Sequence, residues 1–456
     1  MARPIRPSAN ADDEDVRGSL REVFDLAYPV VITQLSTTLM LAVDSAMVGR
    51  LGSTQLAAVG FAGIWLWTLF SFSFGAASGV QTFVSQAHGA KRPRDCGPWV
   101  WQALYAVVPA SIVVALIIGL AVEPALWLLG PSEALQSASM DYIVARLPGE
   151  VAFTVTMVLV SFFRGLGDTR TPLYVMLFVN VVNAFLDYGL IFGKLGMPAW
   201  GVTGAGVATA LSQGIAAVTL FAVFRRRAFS RRFSTSRVAP DRTAIGRFLW
   251  VGAPIGGQWF LDMMAFALFT TLVARMGDNP MAANQALLVL LSFSFMQAVG
   301  ISVATSTLVG RYIGAGVFAA ARRAFRSGLM LGTGLASIIA LLFVMFPRQL
   351  LRIFTDEPEV IELGIPLVGL CAVFQFFDNA AIIGEGALRG AGDTRWPFVV
   401  QTALSWAFFL PLAYLLAVVL DKGLHGAWYA ELIYIFLFAV VVVWRFGSGA
   451  WERIRI

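Results

Sequence analysis

Seven carboxylic acids are predicted to lie within the membrane-spanning part of long apolar stretches of this chain, where a charge is costly. They are Asp44, Glu150, Asp187, Asp262, Asp378, Glu385 and Glu431. Arg146 is the basic residue predicted to lie within the bilayer beside them, and because Glu150 follows it by one helical turn, we expect these two to pair. Each other acid costs about 2.5–3.5 kcal/mol if it is ionised in the middle of a bilayer. Such acids must therefore face water, carry protons or hold cations.

Two of these acids are predicted to lie at the same depth. With a rise of about 1.5 Å per residue, the depths of Asp44 and Asp187 in the membrane differ by no more than about 5 Å. Asn183 precedes Asp187 by four residues and shares its face, so its amide can donate to that carboxylate. Thr203 or Thr209, in the next apolar stretch, could add a hydroxyl. The sequence therefore predicts a polar cluster suited to holding a proton or a cation.

The elements that carry these acids are membrane helices. The chain has 456 residues, is 58% hydrophobic and 13% charged, and has a mean hydropathy of +0.75. A soluble domain is nearer to about 45–50% apolar and about 25% charged. Twelve stretches are long enough to span a bilayer: 26–48, 56–87, 98–122, 134–163, 172–193, 201–224, 245–276, 281–310, 319–346, 359–388, 396–420 and 424–445. Barrel strands are much shorter, so an all-α polytopic membrane protein is predicted.

The basic residues predict the orientation of the chain. Nearly all Lys and Arg fall in loops on the side of the N-terminus, as in the group Arg322, Arg323 and Arg326. Short loops rich in Lys and Arg stay in the cytoplasm, so both termini are expected there, in a multi-pass protein of the inner (plasma) membrane. The net charge of +6 and the pI near 9.6 follow from this topology and indicate no nucleic-acid partner.

The segments outside the spans are expected to be simple. Residues 1–19 are polar, acidic rather than basic, and predicted to be a disordered cytoplasmic tail and not a cleaved signal. Residues 225–243, which contain "RRRAFSRRFSTSR", are predicted to be a flexible basic cytoplasmic linker touching anionic headgroups. Residues 447–456 form a second cytoplasmic tail.

A nine-residue polar motif occurs twice, 225 positions apart. "RGLGDTRTP" begins at Arg164 and "RGAGDTRWP" begins at Arg389, and "AYPVV" at Ala27 matches "GAPIG" at Gly252 with the same offset. The constant offset predicts a tandem duplication into lobes 20–224 and 244–446, each with six spans. Because six is even, the copies are parallel repeats about the membrane normal. The motif is predicted to be a hinge in which Gly reverses the chain, Asp caps the next helix and Pro fits its first turn. Its residues are Arg164, Gly165, Asp168 and Pro172, then Arg389, Gly390, Asp393 and Pro397.

The six-plus-six pattern, the two hinges, "VDSAMVGRLG" (43–52) and "AVFQFFDNAAIIGEGALRG" (372–390) resemble the multidrug and toxic compound extrusion (MATE) family, over about residues 20–445. "VDSAMVGRLG" with "NVVNAFLDYGLIFG" (180–193) is similar to its DinF branch. The resemblance implies an antiporter that expels organic cations against protons or sodium by rocking of two lobes. It also implies that Asp44, Asn183 and Asp187 form a proton-responsive site.

The second lobe resembles a different branch. Asp262 and Asp378 match acidic positions that NorM-like members use in spans 7 and 10 for cation or substrate binding, although Glu is usual at the first. This mixture leaves the coupling ion open, with protons favoured and sodium possible. Glu385 could relay cations or pair with Arg389, which follows one turn later.

The expected passengers are lipophilic organic cations and drugs. "IWLWTLFSFSF" (64–74) and "FQFF" (374–377) supply aromatic faces, which attract cations and also pack against lipid. No cofactor is expected beyond the transported H+ or Na+, and one chain holds both lobes, so a monomer is expected to function.

Three alternative functions fit the sequence less well. A lipid or lipid-linked oligosaccharide flippase of the same superfamily needs a basic cleft, whereas these spans are acidic. A major-facilitator transporter carries a loop signature that "SQAHGAKRPRD" (85–95) does not match. An intramembrane enzyme is disfavoured because neither an HExxH nor a GxSxG motif occurs, and the two Cys and two His have no metal spacing. Neither a catalytic residue nor a metal site is therefore predicted.

Overall fold

A computed structural model describes residues 17–129 and 132–454. Within these residues, twelve helices are long and apolar enough to cross a membrane, which confirms the predicted number. Numbered as spans 1 to 12, they are Leu20–Gly49, Ser53–Gly89, Pro93–Trp127, Glu133–Gly165, Arg170–Phe192, Gly201–Phe224, Arg242–Ala274, Asp278–Gly314, Phe318–Met345, Pro358–Ala391, Arg395–Val419 and Gly423–Gly447. Most are longer than the predicted apolar stretches because the helices continue into polar turns beyond the hydrocarbon layer.

The two lobes exchange the first turns of their first helices. Val23 and Ala27 of span 1 belong to the hydrophobic core of the second lobe. Phe248 and Val251 of span 7 belong to the core of the first lobe. Val23 and Phe248 are 225 positions apart, so the exchange follows the sequence repeat. Spans 1 and 7 therefore tie each lobe to the other near the side of the chain termini.

Close contact between the lobes is found on that same side. A Cβ atom on Gly75 of span 2 would lie 2.8 Å from the Cα of Gly256 in span 7. Gln81 donates to the Thr307 hydroxyl at 3.0 Å, across spans 2 and 8. In the opposite half of span 2, Gly60 and Gly63 face open space. These contacts between the lobes therefore lie toward the end that carries the termini.

Span 11 is irregular. It begins as an α-helix over Arg395–Ala403, continues as a π-helix over Leu404–Phe409, and is π-helical again over Leu415–Val419. A π-helical turn holds more residues than an α-helical turn, so it rotates the faces that follow it, and such turns are frequent at functional sites. Span 11 therefore directs its polar residues differently from its repeat partner, the regular helix of span 5 (Arg170–Phe192).

The segment between the lobes is ordered, in contrast to the predicted flexible linker. It contains a short helix, Arg227–Phe233, whose Phe233 is buried in the core of the first lobe. Trp101 and Gln102 of span 3 donate hydrogen bonds to the carbonyls of Thr235 and Ala239 at 3.1 and 2.9 Å. The apolar residues among the arginines anchor this linker, which explains why composition alone misjudged it.

The chain ends also carry more structure than the sequence suggests. Residues 1–16 of the predicted tail lie outside the described residues, but the expectation of disorder is wrong for residues 17–19. Gly18 is buried and its N–H donates to the Tyr312 hydroxyl at 3.0 Å, while Ser19 caps span 1. At the other end, Trp451 is fully buried and stacks on Phe446 with ring centroids 4.8 Å apart.

Candidate functional site

Asp44 of span 1 and Asp187 of span 5 meet inside the first lobe, as their predicted depths require. Their carboxyl groups interact directly, and Asn183 lies beside Asp187 on the same helix face. Asp187 and Asn183 are 0% exposed. Both oxygens of Asp187 and both polar atoms of Asn183 lack a hydrogen-bond partner of standard geometry within the described chain. We call Asp44, Asn183 and Asp187 the first-lobe cluster.

A buried ion pair borders this cluster on span 4. Arg146 Nε lies 2.8 Å from Glu150 Oε1, which confirms the predicted pair, and Arg146 Nη1 donates to the Tyr142 hydroxyl at 2.7 Å. The pair is nearly shielded from solvent, with side chains 15% and 3% exposed. The charge of Arg146 also acts on Asp44 and Asp187. The first lobe therefore holds two unpaired acids next to one paired acid.

The two threonines of span 6 are placed differently from the prediction. The Thr209 hydroxyl donates to the Ala205 carbonyl at 3.0 Å, one helical turn back, which satisfies it locally. Neither Thr203 nor Thr209 hydrogen-bonds Asp187 in the described structure. A threonine in a helix commonly bonds its own backbone in this way, so spacing could not assign its hydroxyl to the carboxylate.

The acids of the second lobe lie in a connected polar network, which we call the second-lobe cluster. Gln401 Nε2 donates to Asp262 Oδ2 at 2.5 Å, and its side-chain oxygen accepts from Gln258. The Gln258 side-chain oxygen lies 3.4 Å from Arg389 Nη2, and Arg389 pairs with Glu385. Glu385 is thus held by the hinge arginine, as one of its two predicted alternatives proposed. The second-lobe cluster therefore joins residues of spans 7, 10 and 11.

Two residues of span 12 complete the second-lobe cluster. Glu431 is close enough to Asp378 and Asp262 for the three carboxyl groups to interact, and Tyr434 lies beside Asp262 and Gln401. The sequence marked Glu431 as a buried acid without assigning it to a site, and it did not single out Gln258, Gln401 or Tyr434. The two glutamines could have been found from the sequence, because a side-chain amide inside an apolar span is costly unless it is hydrogen-bonded.

The two hinges share a backbone and differ in their side-chain contacts. The chain reverses at Gly167 (φ +81°) and Gly392 (φ +84°), conformations that favour glycine. Asp168 accepts from the Thr171 N–H and hydroxyl at 3.0 and 2.6 Å and so caps span 5, as predicted. Asp393 instead accepts from Arg445 of span 12 at 2.8 Å, and Trp396 replaces the threonine.

The predicted role of the first hinge glycines in chain reversal is wrong. Gly165 and Gly390 are helical, and they permit close helix packing: a Cβ there would lie 2.9 Å from the Gln81 carbonyl oxygen and 2.3 Å from that of Ser306. Pro172 and Pro397 are buried in the first turns of spans 5 and 11, as predicted. The Arg164 carbonyl accepts from the Thr307 hydroxyl at 2.9 Å. Both hinges therefore lie where the lobes close.

The aromatic segments divide between core and exposed positions. In span 2, Phe70 and Phe74 are fully buried, whereas Trp65 and Trp67 are each 44% exposed. In span 10, Phe374 packs edge-on against Trp428, and Phe377, which precedes Asp378, contacts Phe436. Phe377 is thus the aromatic residue of span 10 that lies next to an unpaired acid. This arrangement can hold a cation by charge and by its aromatic face.

Comparison with known proteins agrees with this architecture. The MatE family matches the chain twice, at residues 29–189 and 254–415, and the two matches begin 225 residues apart. The chain is 30% identical to a probable multidrug resistance protein NorM of Thermotoga maritima, over 96% of this chain and 95% of the relative. It is also 30% identical to the multidrug resistance protein PmpM of Pseudomonas aeruginosa, over 96% and 94%.

Solved structures share the fold. The eukaryotic MATE transporter AtDTX14 superposes with a TM-score of 0.83 at 23% identity, covering 96% of this chain and 98% of that one. A transporter of the MOP superfamily from Pyrococcus furiosus, described as having a binding pocket of reverse polarity, superposes with a TM-score of 0.86 at 19% identity, covering 96% and 98%. The duplicated six-helix architecture and the two family matches lead to one conclusion: the chain belongs to the MatE family and is a multi-pass membrane transporter, not an enzyme.

Proposed function

We propose that this transporter exports lipophilic organic cations and drugs from the cytoplasm in exchange for protons, with sodium as the alternative coupling ion. The protein lies in the inner (plasma) membrane with both termini in the cytoplasm. It functions as a monomer, because one chain contains both lobes and both clusters.

The observation that carries this proposal is the pair Asp44–Asp187. Both carboxyls of the pair lie among helices within the bilayer, and the fully buried Asp187 faces Asp44 without a basic partner or a donor of standard geometry in the described structure. A buried carboxylate without a partner is strongly disfavoured, so the pair must take up a proton or a cation to remain in place. Two acids at hydrogen-bond range also cannot easily both be ionised. Loading and unloading of this pair would then accompany the movement of the lobes.

The lobe contacts support alternating access. Close packing between spans 2 and 7 and between spans 2 and 8 is concentrated on the side of the termini, which positive charge assigns to the cytoplasm. The structure would then represent the state open to the outside. Binding of an external proton by the first-lobe cluster, repacking of its helices and release of the drug would follow in that state.

The drug substrate follows from the relatives and from the second lobe. The curated relatives are named multidrug resistance proteins. In the second-lobe cluster, Asp262, Asp378 and Glu431 lie close enough to interact, and Arg389, whose charge also acts on Asp262, forms its ion pair with Glu385. An acidic cluster next to an aromatic side chain selects positive, lipophilic molecules. The same acidity disfavours a flippase for anionic phosphate-linked lipids.

Transport in sealed proteoliposomes tests the proposal. Purified protein is reconstituted, and uptake of ethidium is followed with a pH gradient alone, a sodium gradient alone, or neither. We expect uptake to follow the pH gradient and to collapse with a protonophore. Uptake that follows only sodium would change the coupling ion, and no uptake in any gradient would contradict the proposed function.

A further inference from the structure

The first-lobe cluster has a basic neighbour for which the family comparison provides no role. Arg146 lies on span 4 within the bilayer, and the equivalent position in the second repeat, 225 residues later, is Cys371. The fold therefore does not require an arginine here. A buried arginine is expensive in a membrane, so its presence beside two unpartnered acids calls for a reason.

Arg146 has spare hydrogen-bonding capacity. A guanidinium carries five N–H donors. One of these, on Nε, faces Glu150 at 2.8 Å, and one on Nη1 is given to the Tyr142 hydroxyl at 2.7 Å. The ring of Tyr142 lies under the guanidinium, 5.6 Å from its carbon. In the part of the chain that the structure describes, Arg146 Nη2 makes no hydrogen bond, so donors remain available.

The acidic pair lies on helices that pack near this guanidinium: Val48, one turn after Asp44, and Tyr142, one turn before Arg146, belong to the same buried cluster. Asp44 Oδ1 and both oxygens of Asp187 are buried, and in the described structure the two carboxyl groups face each other without a donor of standard hydrogen-bond geometry. The charge of Arg146 reaches both carboxyls. The charged or titratable groups around the pair are Tyr142, Arg146 and Glu150, all from span 4. Within residues 17–129 and 132–454, Arg146 is thus the basic residue placed to compensate a negative charge on the pair.

We propose that Arg146 is the internal counter-cation of the Asp44–Asp187 pair and makes the first lobe selective for protons over sodium. This inference rests on the proposed transport function. When the pair loses a proton, the guanidinium turns its free donors to the carboxylates, and the tethered charge occupies the position that a sodium ion would need. When the pair is protonated, Arg146 returns to Tyr142 and Glu150, the arrangement seen in the structure.

The physical reason is a difference in cost between two cations. A sodium ion must lose its water and find several oxygen ligands, and it would enter a site in which one positive charge already repels it. Arg146 is already dehydrated, is held close by Glu150, and forms directed bonds to carboxylates. A proton needs no such space and can bind either acid. Arg146 therefore excludes sodium without blocking protonation.

The test removes the charge of Arg146 without leaving Glu150 alone. The double variant Arg146→Gln/Glu150→Gln keeps the local charge balance and leaves Asp44 and Asp187 intact. Two readouts are compared with the parent in alkaline buffer: uptake driven by a sodium gradient alone, and thermal stabilisation of purified protein by sodium chloride relative to choline chloride. We expect the parent to respond to sodium in neither assay, and the double variant to gain both responses, with at least about a tenfold rise in sodium-driven uptake, corresponding to about 1.4 kcal/mol of coupling.

The matched control is Asp393→Asn/Arg445→Gln, which removes another shielded ion pair, at the second hinge. It should remain insensitive to sodium, because it lies outside both clusters. If the glutamine variant does not accumulate, Arg146→Met/Glu150→Met removes the same charges with apolar side chains, a replacement that proteins often tolerate.

The results of these assays show whether Arg146 excludes sodium. Sodium responses in the parent, or a double variant that remains indifferent to sodium in both assays, would overturn the role of Arg146. Arg146→Lys should still exclude sodium, because the charge is kept, and a gain of sodium response there would also contradict the proposal. Absence of transport by the parent in every gradient would remove the proposed function, while sodium stabilisation of purified protein would still report on Arg146.

Discussion

The two lobes descend from one six-helix repeat, yet each holds its acids in a different way. In the first lobe, Asp44 and Asp187 meet directly, and the adjacent Arg146 is occupied by Glu150. In the second lobe, amides connect the acids: Asp262 accepts from Gln401, which contacts Gln258. When two carboxyl groups are in contact, loss of their shared proton changes the local charge strongly. Carboxyl groups that are joined through amides can keep their negative charge and attract a cation. The difference suggests that coupling belongs to the first lobe and substrate selection to the second.

The helix that differs most between the lobes explains how this asymmetry arises. Span 5 is a regular helix that carries Asn183 and Asp187 on one face. Its repeat partner, span 11, is interrupted by π-helical turns, and the positions equivalent to these two residues are Phe408 and Leu412. Span 11 instead contributes Gln401, one turn before the first π-helical segment. Once the repeat had duplicated, each lobe could place its polar groups independently of the shared backbone.

The largest expected effect comes from Asp187→Asn. Removing the titrating oxygen from a fully buried site should abolish most proton-coupled efflux, by about tenfold or more, because the pair can no longer load and unload a proton. Ethidium efflux from cells with matched amounts of membrane-inserted protein measures this. Glu123→Gln, an acid at an exposed position of span 3, serves as the control and should transport like the parent. Efflux by Asp187→Asn at the parental rate would place coupling elsewhere.

A smaller and more selective effect is expected from Asp378→Asn. The asparagine keeps the shape of the side chain next to Phe377 but loses its negative charge. Efflux of cationic drugs should therefore fall several-fold, while efflux of neutral drugs changes little. Competition assays with a cationic and a neutral substrate of similar size measure the ratio. Equal losses for both substrates would argue against a charge-reading role for the second lobe.

The hinges provide a comparison of stability rather than transport. Asp393→Ala removes one partner of an ion pair whose acid is 6% exposed, which should destabilise the protein by about 3 kcal/mol because Arg445 is left unpaired. Asp168→Ala removes a helix cap and should cost about 1 kcal/mol. Thermal unfolding in detergent should therefore give a lower midpoint for Asp393→Ala than for Asp168→Ala. The reverse order would mean that the Asp393 contact contributes little.

The smallest effect is expected from Gln258→Leu. Gln258 connects Gln401 to Arg389, so its loss should loosen the orientation of Asp262 without changing any charge. Apparent affinity for cationic substrates should weaken about two- to threefold, with the maximal rate unchanged. Initial rates over a range of substrate concentrations separate the two quantities. A large drop in maximal rate would assign Gln258 a part in coupling as well.

Much of this arrangement could be predicted from the sequence, and the physical basis of the successes is local. Composition and length identified twelve spans, and the 225-residue offset identified the repeat. The spacing of four residues predicted the pairs Arg146–Glu150 and Glu385–Arg389, and a uniform helical rise predicted that Asp44 and Asp187 would meet. Each of these inferences depends only on the regular geometry of an α-helix.

The sequence was less informative where that geometry fails or where contacts are distant. Gln401 lies in the α-helical start of span 11, but its partners Asp262 and Gln258 are more than 130 residues away, so spacing within one helix could not pair them. The ordered linker depends on Phe233 packing against Phe162 of span 4 and on Thr235 accepting a hydrogen bond from Trp101 of span 3, both far away in the sequence. The Thr209 hydroxyl had a local carbonyl available, and nothing in its spacing showed that it would prefer this acceptor to Asp187.

Proton release measured on the purified protein tests the central claim most directly. A cationic substrate is added to detergent-solubilised transporter in weak buffer, and a pH indicator counts the protons released per molecule. We predict that the parent releases protons on binding the cation and that Asp187→Asn releases about one fewer. Binding of the cation with no proton release by the parent, or with equal release by both proteins, would contradict the claim that the buried Asp44–Asp187 pair exchanges its proton for the transported cation.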